Sequence, residues 1–289
     1  MSTSNQASDF DDFPVSGYGS ESAMDFYEVY LKSVQLAAEI PKRKGGASEE
    51  KILRSLVKEV QASSARNGAL FRRNADAKEA LSTLWISGAR QIARSFVAAT
   101  QEMPLFNGIS ADQIGAIARM SVDENVLPQL PSILATYGIV LIFEPSFPGM
   151  KVDGAVFKLS TGNPVIVLSL RYSRLDNFWF TLMHELAHVA LHYETLNEPI
   201  LDDLEETSSI LIEKQADKLG GESLISKSDW RSCDARYTPT DANVIAFAKK
   251  VKVHPSIVAG RLRRDLNRHT LFTDIINKLN VRKVLFNEE

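Results

Sequence analysis

Histidines at 184 and 188 and a glutamate at 185 stand in the stretch "FTLMHELAHVALHYE", residues 180–194. On a helix, residues four apart share one face, so His184 and His188 can aim ring nitrogens at a single ion. Zinc takes nitrogen ligands at about 2.1 Å in near-tetrahedral geometry, and an i, i+4 histidine pair supplies two of them. Glu185 lies about 100° around the helix from His184. It is badly placed to ligate the same ion but well placed to take a proton from a water, which is the mechanics of H-E-x-x-H. A third histidine, His192, lies two turns (about 12 Å) beyond His184. No glycine breaks the helix in "VALH" to turn the chain back, so His192 is expected to pack beside the site or to support it, without joining His184 on the ion.

The remaining ligand must come from elsewhere. Glu194, Glu198, Asp202, Asp203, Glu205, Glu206, Glu213 and Asp217 follow the histidines in the chain. The earlier acids occupy a polar loop or a helix start, where acids serve solubility and the helix dipole. Glu213 shares a helical face with Ala216, Asp217 and Gly220, small or acidic neighbours that would let this face lie close against the histidine helix. Glu213 is therefore the expected third ligand. Asp217 is expected to accept the second ring N–H of a liganding histidine.

Elements must hold these groups in place. "GIVLIFEP" (138–145), "GAVFKLS" (154–160) and "PVIVLSL" (164–170) read as three short strands, with "TGN" (161–163) as a turn. Their short connections predict antiparallel neighbours. Helices are expected at about 23–39, 49–65 and 74–100, then over "ISADQIGAIARMS" with a Ser110 cap, at about 205–220, and through the last 50 residues. Gly138 reads as the cap that ends the segment before the first strand. The expected organisation is a disordered tail at 1–22, a helical region at 23–137, the core at 138–230 and a helical module at 231–289. Trp85, Trp179 and Trp230 read as core or hinge aromatics.

Composition narrows the function classes. With 289 residues, 44% hydrophobic and 24% charged, the chain has the make-up of a globular protein, and a net charge of −3 gives no global basic field for nucleic acid. The single cysteine, Cys233, excludes an intrachain disulfide and fits a reducing compartment. The start shows no signal peptide, and no apolar run approaches the roughly 20 residues that cross a bilayer. The expected location is the cytoplasm, with no membrane partner.

The segments "RYSRLDNFWFTLMHELAHVALH" (171–192) and "IEKQADKLGGESLI" (212–225) resemble the ImmA/IrrE family of metallo-endopeptidases. "GIVLIFEP", "VDGAVFKLSTGNPVIVLSL" and "VHPSIVAGRLRRD" extend the likeness over about 65–289, and it is greatest to the branch fused to repressor or HigA-like antitoxin helix-turn-helix domains. The resemblance implies an α+β, zincin-like core with a small antiparallel sheet packed on the H-E-x-x-H helix, flanked by helical regions. It implies zinc (Zn2+) held by His184, His188 and Glu213 with Glu185 as base. It also implies a protein substrate of the helix-turn-helix repressor kind, in phage, mobile-element or stress-response settings. The chain departs from the family pattern at Gly220 and Gly221, where alanines are usual, and at Ser226, where a proline is.

A different function class must be weighed. "TDANVIAFAKKVKVHPSIVAGRLRRD" (240–265) reads as two helices about a turn at His254–Pro255, compatible with a DNA-binding helix-turn-helix. On that alternative the protein is a transcriptional regulator or antitoxin-like binding protein with a structural or vestigial metal site. The competing expectation, a helical pair packed beneath the metal site, is the favoured one. For Tyr172, Tyr193 and Arg171, candidates to donate to an oxyanion, structural roles are favoured too.

Overall fold

The computed structural model of the chain describes residues 57, 77–100, 102–147, 150–201 and 209–286. The chain divides into two units, 1–75 and 76–289, and the account below concerns the second. The helices expected at 23–39 and 49–65, and the tail at 1–22, lie outside the described residues.

The centre is a four-stranded sheet: β1 (Val140–Phe143), β2 (Gly154–Lys158), β3 (Pro164–Leu168) and β4 (Ile200–Leu201), in the order β1-β3-β2-β4. β2 runs antiparallel to β3 and to β4, but β1 runs parallel to β3, with Val140 opposite Val165 and Phe143 opposite Leu168. The sheet is therefore mixed, and the expectation of antiparallel neighbours throughout is corrected. The residues between β1 and β2 form a connection long enough to pass over the position of β3. The "TGN" turn then brings β3 back between the two, beside β1.

The β-branched runs are buried on both faces, as in a sheet covered on both sides. Val140, Ile142, Ala155, Phe157, Val165 and Val167 face α1 (Ala77–Ala99), whose Trp85, Ile86, Ala89 and Ala93 cover them. Trp85 also donates Nε1–H to the carbonyl of Glu144 at 2.9 Å. Leu141, Val156, Ile166 and Leu168 face the opposite way, onto α4 (Leu175–His192). The result is a helix–sheet–helix sandwich. Trp85, Trp179 and Trp230 are all buried.

In chain order, α2 (Ala111–Arg119) and α3 (Leu130–Ala135) follow α1 and precede β1. Ser110 caps α2 in a reciprocal box with Gln113: each side chain accepts from the other residue's backbone N–H. The α3 helix closes with Gly138 N–H donating to Ala135 and Ile139 N–H to Leu134, a Schellman-type end.

Downstream of α4 lie α5 (Ser209–Leu224), α6 (Lys227–Arg231), α7 (Asp241–Val251), α8 (Pro255–Asp265) and the short α9 (Thr273–Ile276) and α10 (Val281–Phe286). Ser226 caps α6 by accepting from the Asp229 N–H, so a residue that departs from the family pattern has a local use. Arg119 ties these pieces together. Its guanidinium donates to the carbonyls of Ser223, Leu224 and Val251, satisfying the ends of α5 and α7 at once.

His254, expected as a turn residue, caps α8. Its Nδ1 accepts from the Ser256 N–H at 3.1 Å, and its Nε2 faces Glu124 Oε1 at 3.1 Å. Burial lowers its pKa, against the pull of the Glu124 charge. The unfolded chain, with histidine at about 6.5, therefore takes up this proton before the folded one does. The His254 contribution is fully present above that pH and is lost as pH falls toward the lower folded value. The melting temperature of His254→Asn, which keeps a cap acceptor, is expected to fall less steeply than wild type from pH 7 to 5. Parallel slopes would refute this.

Candidate metal and active site

α4 is apolar nearly all round. Leu175, Phe178, Trp179, Leu182, Met183, Leu186, Ala187 and Val189 are buried, and with them the polar Glu185, His188 and His192. Such a helix belongs in a core, so its polar groups gain little from water and must find partners in the fold. α5 packs along it. The approach is tightest at Gly220, where a Cβ would stand 2.8 Å from the Met183 carbonyl oxygen and 2.9 Å from the His184 nitrogen. This glycine, a departure from the family pattern, is where the two backbones touch.

That contact brings the expected ligands together. His184 Nε2 lies 2.9 Å from Glu213 Oε2, His188 Nε2 lies 3.4 Å from the same oxygen, and the two Nε2 atoms are 3.0 Å apart. His184, His188 and Glu213 each offer one ligand atom within 4.8 Å of the others, an arrangement that could hold a metal ion. Glu213 is 5% exposed, and its Oε1 is buried without a hydrogen-bond partner. Burial alone would raise its carboxyl pKa. Hydrogen bonds and charge from His184 and His188 outweigh that and bring it down to about 2. Burial lowers the pKa of His188 in spite of Glu213. A carboxylate that stays ionised and an imidazole that stays neutral are the protonation states a metal requires. The residues present thus fit a divalent ion with two nitrogen donors and one oxygen donor.

The neighbours are also in place. Asp217 Oδ1 lies 3.1 Å from His184 Nδ1, and this hydrogen bond holds the Asp217 carboxyl below its usual range. The Glu185 carboxylate lies against the start of β2. A Cβ on Gly154 would come within 2.8 Å of its Cδ, so only glycine lets the strand pass so close to the carboxylate. Beside this lies a small cleft lined by Asp153, Leu168, Leu170, Arg171, Tyr172, Asn177, Phe178 and Thr181. Asp153 adjoins Gly154 in the chain, and Thr181 is one helical turn before Glu185. Among the acids weighed as third ligand, Glu194 and Glu198 are not in the cluster, and Asp202, Asp203, Glu205 and Glu206 lie outside the described residues.

The oxyanion candidates have other work. Arg171 forms a two-pronged ion pair with Asp153, at 2.8 and 3.2 Å. Tyr193 donates its hydroxyl to the Gly162 carbonyl at 2.7 Å. Tyr172 stacks beneath Arg171 at the rim of the cleft, half exposed. In the α7–α8 pair, Arg261 donates to the Ile225 carbonyl and lies over the Trp230 ring, and Arg263 is buried and donates to Leu271. Arg261 and Arg263, which stand on the second helix of that pair, are thus spent on packing.

Two histidines four apart on a core helix, a glutamate from the next helix and a sheet against the far side make up an α+β, zincin-like fold with a metal-competent cluster. Residues 135–263 match the family model Peptidase_M78, described as the IrrE N-terminal-like domain. Over that segment the chain is similar to the ImmA/IrrE family of peptidases, which supports the resemblance read from the sequence. No curated protein matches the chain closely enough to be compared with it.

Proposed function

We propose that the protein is a zinc-dependent endopeptidase with His184, His188 and Glu213 as ligands and Glu185 as general base. The observation that carries this reading is the meeting of three ligand atoms from α4 and α5, one of them on a buried carboxylate kept ionised at a pKa of about 2. Two imidazoles and a carboxylate are a donor set suited to zinc. Bound there, zinc would supply Lewis acidity toward the scissile carbonyl and lower the pKa of the attacking water.

The chain's own groups do the rest. Glu213 and the two histidines supply one negative charge among three donors. Asp217 holds His184 with its proton on Nδ1, leaving Nε2 free to ligate. The Glu185 carboxylate takes the proton from the attacking water and passes it to the leaving amine nitrogen as the C–N bond breaks.

The proposed substrate is a DNA-binding repressor or antitoxin-like regulator of the helix-turn-helix kind, met in the cytoplasm; this rests on the family likeness. Direct DNA binding is not part of the reading, which the inward placement of Arg261 and Arg263 supports. Among the described residues, no helix is long and apolar enough to cross a membrane.

The purified protein is expected to carry about one zinc per chain, as a three-residue donor set with a fourth position left for water would hold it. A chelator should abolish peptide cleavage, and zinc should restore it. A wild-type protein that stays metal-free after reconstitution would remove the basis of this reading.

A further inference from the structure

The buried histidines of α4 do not stop at the metal cluster. A histidine that offers Nε2 to an ion must carry its remaining proton on Nδ1, and that N–H needs an acceptor. His184 meets the Asp217 carboxylate there. His188 meets another imidazole: its Nδ1 lies 3.1 Å from the Nδ1 of His192, with the rings tilted by 49°. His192 can accept at Nδ1 only as the tautomer protonated at Nε2. That Nε2 lies 3.0 Å from Gln215 Oε1, an acceptor. The hydrogen bonds therefore run in one consistent direction, from His188 Nδ1–H to His192 Nδ1 and from His192 Nε2–H to Gln215 Oε1. Each imidazole nitrogen of His192 has a use, and the ring is buried.

We infer that His192 is a positioning residue for His188, fixing the ring orientation and tautomer in which His188 ligates the metal, and that Gln215 selects the tautomer of His192. The inference rests on the metal-site reading above. It makes the two histidine ligands unequal: a carboxylate backs His184, whereas a neutral ring backs His188. A carboxylate partner raises a ligand's basicity more than a neutral one does, so His188 is the weaker donor of the two.

The test compares His192→Phe, which keeps a ring but has no acceptor, with His192→Asn, whose Oδ1 can stand in for Nδ1. Zinc affinity is measured by competition with a chromophoric chelator, and the visible spectrum is recorded with cobalt in place of zinc. Thermal melting of the metal-free proteins is the control for folding. His192→Phe should bind zinc 10- to 100-fold more weakly, the usual cost of losing a ligand's hydrogen-bond partner, and should show a shifted cobalt spectrum. His192→Asn should stay near wild type in both, and all three metal-free proteins should melt alike. Wild-type affinity and spectrum in His192→Phe would overturn the inference and leave the metal site standing. Equal loss in both variants, tracking lower metal-free stability, would also overturn it by reducing His192 to packing. A wild type that binds neither zinc nor cobalt would overturn the inference together with the metalloenzyme reading.

Discussion

Glu185→Gln is expected to lose peptide cleavage by a factor on the order of 10²–10⁴ or more while keeping its zinc. The amide has the same shape as the carboxylate, so the close passage of Gly154 past this side chain is undisturbed. What is lost is a group able to take a proton from water and return it to the amine. Glu185 is 1% exposed, and exchanging a buried charge for an amide removes a desolvation cost, so the folded state should be as stable as wild type or more so. Glu213→Ala is the instructive contrast: it should lose metal and cleavage together. Cleavage products counted by mass spectrometry beside zinc content separate the two cases. A Glu185→Gln protein that still cuts at more than a tenth of the wild-type rate would assign the proton transfer to another group.

Gly220→Val should damage fold and site at once. The missing side chain is what lets α5 reach the backbone of Met183 and His184, and backbone cannot swing aside as a flexible side chain can. Overpacking of this kind costs about 1–3 kcal/mol. It acts next to His184, so any outward shift of α5 pulls Glu213 and Asp217 away from their histidines. We expect a lower melting temperature and a weaker zinc affinity together. The neighbouring Gly221 has open space around it, so Gly221→Ala should be tolerated and, by helix propensity, slightly stabilising. Equal responses at 220 and 221 in urea unfolding and zinc titration would remove the argument from close approach.

The metal-competent cluster was legible because it is written in local spacing. An i, i+4 histidine pair with glutamate after the first is a one-turn pattern, and the small and acidic face of 213–220 marks a helix that must lie against another. The three strands were legible from β-branched runs bounded by glycine, proline and asparagine. The parallel pairing of β1 with β3 was not. Hydrophobic pattern sets which faces are buried, and both faces of this sheet are, so nothing in "GIVLIFEP" distinguishes an edge beside β2 from one beside β3. The small residue at Gly220 foretold a close approach, but its contact with the backbone of Met183 depends on how two segments cross. The segment 240–265 was compatible with a DNA-binding pair, yet Arg261 and Arg263 answer backbone carbonyls that only the tertiary fold presents to them. His192 could be excluded from the ion by distance, but its link to Gln215 needed coordinates.

The sandwich built around β1–β3 also separates two ideas of a domain. The inherited module, as the family match delimits it, runs from 135 to 263. The cooperative unit is wider. Trp85, Ile86, Ala89 and Ala93 of α1 cover one whole face of the sheet, and Phe272, Ile276 and Val281 close the core on the other side. There Val281 N–H is donated to the Ser173 carbonyl at 2.7 Å, at the entrance to α4. A fragment cut at the module's borders would keep every proposed ligand and bare a sheet face of valine, isoleucine and phenylalanine, a surface that drives aggregation. The segment that the family model matches is, for this chain, too short to be its own solvent shield.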